Sequence, residues 1–217
     1  MGQGIRRTQA ERRAASREAL LEAAARGLSQ SGYGNLVLEE VARDAGYSRG
    51  ALYHQFEDKE DLALAVLAWV DESWGREVGD PAAAEDDPVD ELLALARGHA
   101  IFCRRDVARV AMALRLEFTD ADHPVAIALE RTTRGGAKRI ERLIKRARAD
   151  GAIPDGEPAA PTARAILGAL EGLVIGVGGR APHDERLAAA AVAGLIGLDR
   201  EDPRLGVHPA ASRSSQR

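Results

Sequence analysis

Cysteine occurs once in the 217 residues, at Cys103, so no disulfide can form within the chain and a structural zinc site of the multi-cysteine kind is excluded. A lone thiol fits a reducing, cytosolic location. Aromatic residues make up only 4 % of the chain. No apolar run reaches the roughly 20 residues that span a bilayer. The longest candidate, AILGALEGLVIGVGG, is shorter and is interrupted by Glu171, so no membrane partner is expected. The amino terminus also lacks the apolar core segment of a signal sequence. The formal net charge of −4 argues against a protein that coats nucleic acid without regard to sequence.

What the chain does hold is Ala, Leu and Val, with Gly and Pro gathered at the ends of periodic stretches, and this points to an all-α fold. Charge is unevenly spread. Residues 1–17 carry Arg6, Arg7, Arg12, Arg13 and Arg17 against Glu11 alone. Such a segment can follow a phosphate backbone or enter a minor groove, or it can be a solvated tail. Residues 1–9 are read as a flexible basic arm and residues after about Asp202 as a disordered tail.

The stretch 38–59, LEEVARDAGYSRGALYHQFEDK, has the most information. Leu38, Val41, Ala42 and Ala45 recur at the spacing of one apolar helical face, with Glu39, Glu40, Arg43 and Asp44 opposite. Gly46 stands where a chain leaving a helix favours a left-handed residue, and Ser48 can cap the next helix, from about Arg49 to Gln55. Ala51, Leu52 and Phe56 supply its packing face, leaving Arg49, Gly50, Tyr53 and His54 outward. A helix so small at Gly50 and Ala51, with donors at Ser48, Arg49, Tyr53 and His54, can enter a major groove about 12 Å wide. There an Arg can fork onto guanine while hydroxyl and imidazole reach phosphate oxygens. The plain alternative is a helical hairpin with a solvated face.

From about Ala10 to Leu67 the chain resembles the DNA-binding domain of TetR-type transcriptional regulators. The residues that carry the likeness are ALLEAAARGLSQSGY (19–33), Leu38 with Val41 and Ala42, AGYSRGALYHQF (45–56), and Asp58, Lys59 and Leu62. The resemblance implies that Tyr53 and Lys59 touch phosphates and that Ser48, Arg49, Ala51 and His54 lie against DNA. Where the family usually carries Thr or Ser before the second helix this chain has Leu36 and Val37, and it has Gln55 where His or Tyr is favoured. The implied organisation is a helix-turn-helix head at 10–57 and a helical ligand-binding and dimerisation body at 58–202, with the tail at 203–217.

Beyond the motif, Asp58 can cap a helix of about twenty residues that packs Leu62, Val66, Leu67, Val70, Trp74 and Val78. Residues 79–88 (GDPAAAEDDP) read as a loop, and Asp87–Pro88 opens the next helix in cap-then-proline order. Val89, Leu92, Leu93, Ala96, His99 and Cys103 form its stripe; Asp106 to Phe118 repeats the pattern. A long helix from Pro124 to Gly151 turns Val125, Leu129, Ile140, Leu143, Ile144 and Ala147 inward and Arg139, Arg142, Lys145, Arg146 and Arg148 to the opposite, solvated face. Gly135 and Gly136 within it mark a kink or a close approach. Two last helices follow, Thr162 to Val177 and His183 to Leu198. Gly168, Gly172 and Gly176 recur every four residues in the first, making one smooth side. Such regulators pair through their last two helices, so these glycines with Leu187 and Leu195 are assigned to a homodimer interface.

No chemistry-bearing constellation reaches motif strength. GVGGRA (176–181) fits G-x-G-x-x-A but lacks the strand and the βαβ unit that dinucleotide binding requires, so it reads as a helix end. His99 and Cys103 are one turn apart, fewer than the ligands of a closed zinc site, and read as core. No catalytic residue, cofactor or metal is assigned, and the chain is not expected to be an enzyme. Trp69, Trp74, His99, Phe102, Met112, Arg115 and Phe118 are the candidate lining of a ligand cavity, with Arg115 as polar anchor; simple core filling is the alternative. The expectation is a cytoplasmic transcriptional repressor that binds a near-palindromic operator as a dimer and leaves it when a small apolar ligand shifts the helix at 58–78. A constitutive helix-turn-helix protein and a helical interaction protein are the competing readings.

Overall fold

The computed structural model describes residues 8–206, which contain helices and turns and no strand. The expected disordered tail from residue 207 onward, and Arg6 and Arg7 of the expected arm, lie outside the described residues. Packing divides the chain into two compact units. Among the described residues, one takes in 8–73 and Arg105–Thr132; the other joins Trp74–Arg104 to 133–206.

In the first unit α1 spans Gln9–Ser31. A capping box starts it: Thr8 Oγ1 accepts the Glu11 N–H at 3.2 Å and the Glu11 carboxylate accepts the Thr8 N–H at 2.7 Å. Arg12, Arg13 and Arg17 lie on this helix, beyond the arm expected at 1–9, and the Arg17 guanidinium lies 4.7 Å above the Phe56 ring. Inward, α1 buries Leu20, Leu21, Ala24 and Leu28. Helices α2 (Leu38–Asp44) and α3 (Arg49–Tyr53) follow. The latter stops before Gln55, where the chain turns to bury Phe56 at 1 % exposure. Helix α4, Lys59–Trp74, begins as expected with the Asp58 carboxylate accepting the Asp61 N–H at 2.8 Å. The return segment opens with a 3₁₀ turn, Asp106–Arg109, in place of regular helix, and continues as α7 (Val110–Glu117). The long α8, Pro124–Ala149, starts in this unit and ends in the other.

In the second unit α4 runs on through a π-helical turn, Gly75–Gly79, into the short α5, Asp80–Ala82. Residues 80–82, read from the sequence as loop, are therefore helical. The Gly79 carbonyl accepts the Arg139 guanidinium at 2.8 Å, and the same guanidinium is held by Glu91 at 2.8 Å. Arg139 consequently leaves the solvated basic face on which its spacing put it. Asp87 caps α6 (Pro88–Phe102), accepting the Val89 and Asp90 N–H groups at 2.7 and 3.1 Å. The carboxyl half of α8 buries Ile140, Leu143, Ile144 and Ala147 as the periodicity predicts, and Gly136 lets Leu167 approach. Helices α9 (Ala159–Val177) and α10 (His183–Leu195) complete the unit, α10 packing on α6 and α9.

Helix α9 begins before Thr162 and reaches 19 residues with a mean hydropathy of 1.4, so by length and composition it is long and apolar enough to cross a membrane. The sequence-based length of its apolar run was an underestimate. Glu171 sits within it.

Arg104, just beyond α6, grips the first turn of α10. Its guanidinium donates to the two carboxylate oxygens of Asp184 at 3.0 and 2.8 Å. Those bonds hold the Asp184 carboxyl down to a pKa of about 2, although burial works the other way.

Candidate nucleic-acid interface

The turn between α2 and α3 is built from its backbone. Gly46 has φ +77° and open space around it, so the left-handed conformation itself is what selects glycine there. The Tyr47 N–H closes onto the Ala42 carbonyl at 2.8 Å. Ser48 Oγ then accepts the Ala51 N–H at 3.2 Å and starts α3. On its inner side Leu52 is wholly buried, beside Phe56.

Of the DNA-facing candidates, Ser48, Arg49, Gly50, Tyr53 and His54 are exposed, while Ala51 and Lys59 are half-buried. The Arg49 guanidinium lies 3.0 Å from the Glu39 carboxylate and 5.3 Å above the Tyr53 ring. An exposed pair of this kind is worth about 0.2–1 kcal/mol, little enough for a guanine or a phosphate to displace it. Ser48 keeps its O–H free to donate while its oxygen serves as the cap. Lys59 Nζ donates to the Gly34 carbonyl at 3.0 Å and lies 4.8 Å from the Tyr33 ring centroid.

Three features escaped the sequence reading. Gln55 turns back into the head, where Nε2 donates to Ser16 Oγ at 2.9 Å and its carbonyl accepts Arg17 at 3.4 Å. Tyr47 and Val37 stand exposed beside α3 and at the start of α2. Val37 gives α2 no side-chain cap, as expected where Thr or Ser is missing. Finally, Tyr33 forms a platform with Phe118, ring centroids 4.9 Å apart and edge-on, while Phe118 packs against His123 at 4.3 Å. Burial, then Glu60 and Asp58, raise the Tyr33 phenol above its ordinary pKa.

The ligand-cavity candidates divide between the two units. Trp69, Met112, Arg115 and Phe118 belong to the first, with Phe118 committed to the Tyr33 platform. Trp74, His99 and Phe102 belong to the second. There Trp74 Nε1 donates to His99 Nδ1 at 3.2 Å, which leaves the imidazole proton on Nε2, 3.6 Å from Cys103 Sγ. Burial lowers the His99 pKa, against a small opposing pull from Glu171. A recess lined by His99, Ala100, Leu170, Val174 and Ala188 has a volume near 10 Å³, room for about one water.

The proposed pairing surface is open in the single chain. Gly168, Gly172 and Gly176 have nothing within 4 Å of the position of a side chain. On the same two helices Ile175, Leu187 and Leu195 are 76, 44 and 40 % exposed. GVGGRA begins in the last two residues of helix α9 and runs out of it, with Gly179 at φ +78°, and so forms a helix end instead of a strand-to-helix phosphate loop.

Residues 20–66 match the family model of bacterial regulatory proteins of the tetR family. The HTH-type transcriptional regulator CymR of Pseudomonas putida is 36 % identical over 91 residues, 41 % of this chain and 45 % of that protein. The HTH-type transcriptional repressor BepR of Brucella suis biovar 1 is 43 % identical over 63 residues, 29 % of this chain and 30 % of that one. The matches thus span less than half the length of these curated relatives. Over the whole fold, the chain superposes on AibR, solved in complex with isovaleryl coenzyme A and operator DNA. The TM-score is 0.71 at 19 % identity, covering 85 % of this chain and 100 % of that one.

Proposed function

From the match of residues 20–66 to the tetR family model, we propose that the chain is a TetR-type, ligand-responsive transcriptional regulator that binds a near-palindromic operator as a homodimer and acts as a repressor. The observation that carries this reading is α3: a short helix seated on Leu52 and Phe56 whose outer side presents Arg49, Gly50, Tyr53 and His54 to solvent. Arg49 reads guanine; Tyr53, Lys59 and the Ser48 hydroxyl take phosphates. Pairing through α9 and α10 is supported by the glycine side of α9 and the exposed Ile175, Leu187 and Leu195. A two-fold axis then sets two α3 helices in major grooves about 34–36 Å apart. The working place is the cytoplasm, and the chain carries out no catalysis.

The effector is a small, largely apolar molecule that binds the body and releases the operator. AibR was solved with isovaleryl coenzyme A, a large and charged molecule whose acyl group alone is small and apolar, so short apolar acids and their coenzyme A thioesters are screened side by side as the free and the carried form of such a group. For release, the effector must favour the non-binding state by about 1–3 kcal/mol, a response of roughly 5- to 150-fold.

The test is selection of bound duplexes from a random library by the purified protein, with an Arg49→Ala, Tyr53→Ala variant beside it. Enrichment of a palindrome by the parent alone is the expected result; equal behaviour of both proteins rejects α3 as the reading helix.

A further inference from the structure

The turn joining α1 to α2 sets the direction in which α2, and with it α3, leaves the end of α1. Two features make it a tight turn. Gly32 closes α1 at φ +76°, and Leu36 is buried where Gly27 has no side chain to obstruct it. The remaining restraint comes from far along the chain. Glu117, the last residue of α7, extends its carboxylate onto the turn, with Oε2 accepting the Tyr33 N–H at 2.5 Å and Oε1 the Gly34 N–H at 3.0 Å. Consecutive N–H groups aimed at one anion form a nest, and a carboxylate filling it makes charge-assisted bonds. The fit is close: a Cβ at Gly32 would lie 2.8–2.9 Å from the Glu117 carboxylate. From the opposite side Lys59 Nζ holds the Gly34 carbonyl. Phe118, next to Glu117, packs edge-on against Tyr33, and His123 Nε2 lies 3.5 Å from Glu60.

We infer that Glu117 is a positioning residue for operator binding: it holds the 32–35 turn through the Tyr33 and Gly34 amides and so sets the pose of the helix-turn-helix, without itself touching DNA. This rests on the DNA-binding reading above. The same grip keeps Lys59 beside the turn until a phosphate takes its ammonium. It also makes the head sensitive to any displacement of the carboxyl end of α7.

The experiment compares the parent with Glu117→Ala and Glu117→Gln, the latter keeping the shape and one neutral acceptor. Amide hydrogen exchange at Tyr33 and Gly34 is measured in the free proteins, and affinity for the selected duplex is measured from 50 to 200 mM salt. Faster exchange at both amides in Glu117→Ala is expected, with affinity about tenfold weaker, about 1.4 kcal/mol. The slope of log K against log salt stays the parent's, because no phosphate contact is lost. Glu117→Gln falls between the two, and it carries the test alone if the alanine variant does not fold. Exchange equal to the parent's in both variants overturns the inference. So does faster exchange with unchanged affinity, which leaves a local brace only, or tighter binding by both, which makes Glu117 a mere source of repulsion. A parent that enriches no duplex overturns the DNA-binding reading and the positioning role with it, while the exchange rates still report whether Glu117 holds the turn.

Discussion

Removing the Asp184 carboxylate tests how the second unit is held together. Asp184 is 2 % exposed and receives two guanidinium bonds from Arg104, at 3.0 and 2.8 Å, as well as the Glu185 N–H at 2.9 Å. Asp184→Ala strips Arg104 of this partner. Breaking a fully buried pair costs about 3–5 kcal/mol, whereas a pair at the surface is worth at most about 1. Arg104 is 28 % exposed and keeps Glu185 at 3.5 Å, so the loss at pH 7 should lie between these two limits. The pH dependence has a definite sign. The carboxyl titrates near 2 in the folded chain against 3.8 ordinarily, so its contribution is complete above about pH 4 and disappears as pH falls toward 2. Urea unfolding followed by far-ultraviolet circular dichroism at pH 7, 4.5 and 3 reads both effects. The gap between parent and variant should be full at pH 7 and 4.5 and smaller at pH 3. Equal stabilities at pH 7, or a gap that widens on acidification, would refute the reasoning.

Leu52→Ala should destabilise the head by about 2–5 kcal/mol in the same assay, since Leu52 is wholly buried beneath α3, and should abolish operator binding. Gly46→Ala should cost about 1–2 kcal/mol through its positive φ alone, because nothing lies within 4 Å; no loss would mean the turn relaxes freely. Ile175→Asp, at a 76 % exposed position on the open side of α9, should shift sedimentation velocity from dimer to monomer while leaving helix content intact. An unchanged sedimentation coefficient would move the pairing surface elsewhere.

The head was legible because its information is local. Apolar spacing at Val41, Ala42, Leu52 and Phe56 set the buried face, and Gly46 sits at a backbone angle that favours it. Asp58 and Asp87 marked helix starts that the structure contains. The Thr8 and Glu11 capping box that starts α1 has a readable signature too. Other features had no local trace. Glu117 meets an amide 84 residues away, and a side chain that binds backbone leaves no pairing pattern at the residue it holds. Where helix continues past Gly79, that carbonyl accepts both the Ala83 N–H at 3.0 Å and the guanidinium of Arg139, 60 residues further on. Glycine and proline in that stretch argued locally for a loop, and tertiary contacts prevailed. Among the cavity candidates, Phe118 was taken up by Tyr33, a partner that composition and periodicity do not reveal.

The most direct test of the account is a base-by-base specificity scan of the selected operator with the parent, Arg49→Ala and Lys59→Ala. If α3 reads the major groove through Arg49, that variant loses about 1–3 kcal/mol and relaxes preference at one guanine in each half-site. Lys59→Ala should instead weaken all sequences alike and reduce the salt slope by about 1. Uniform weakening by Arg49→Ala, with every base preference retained, would contradict the assignment of α3 as the element that reads sequence.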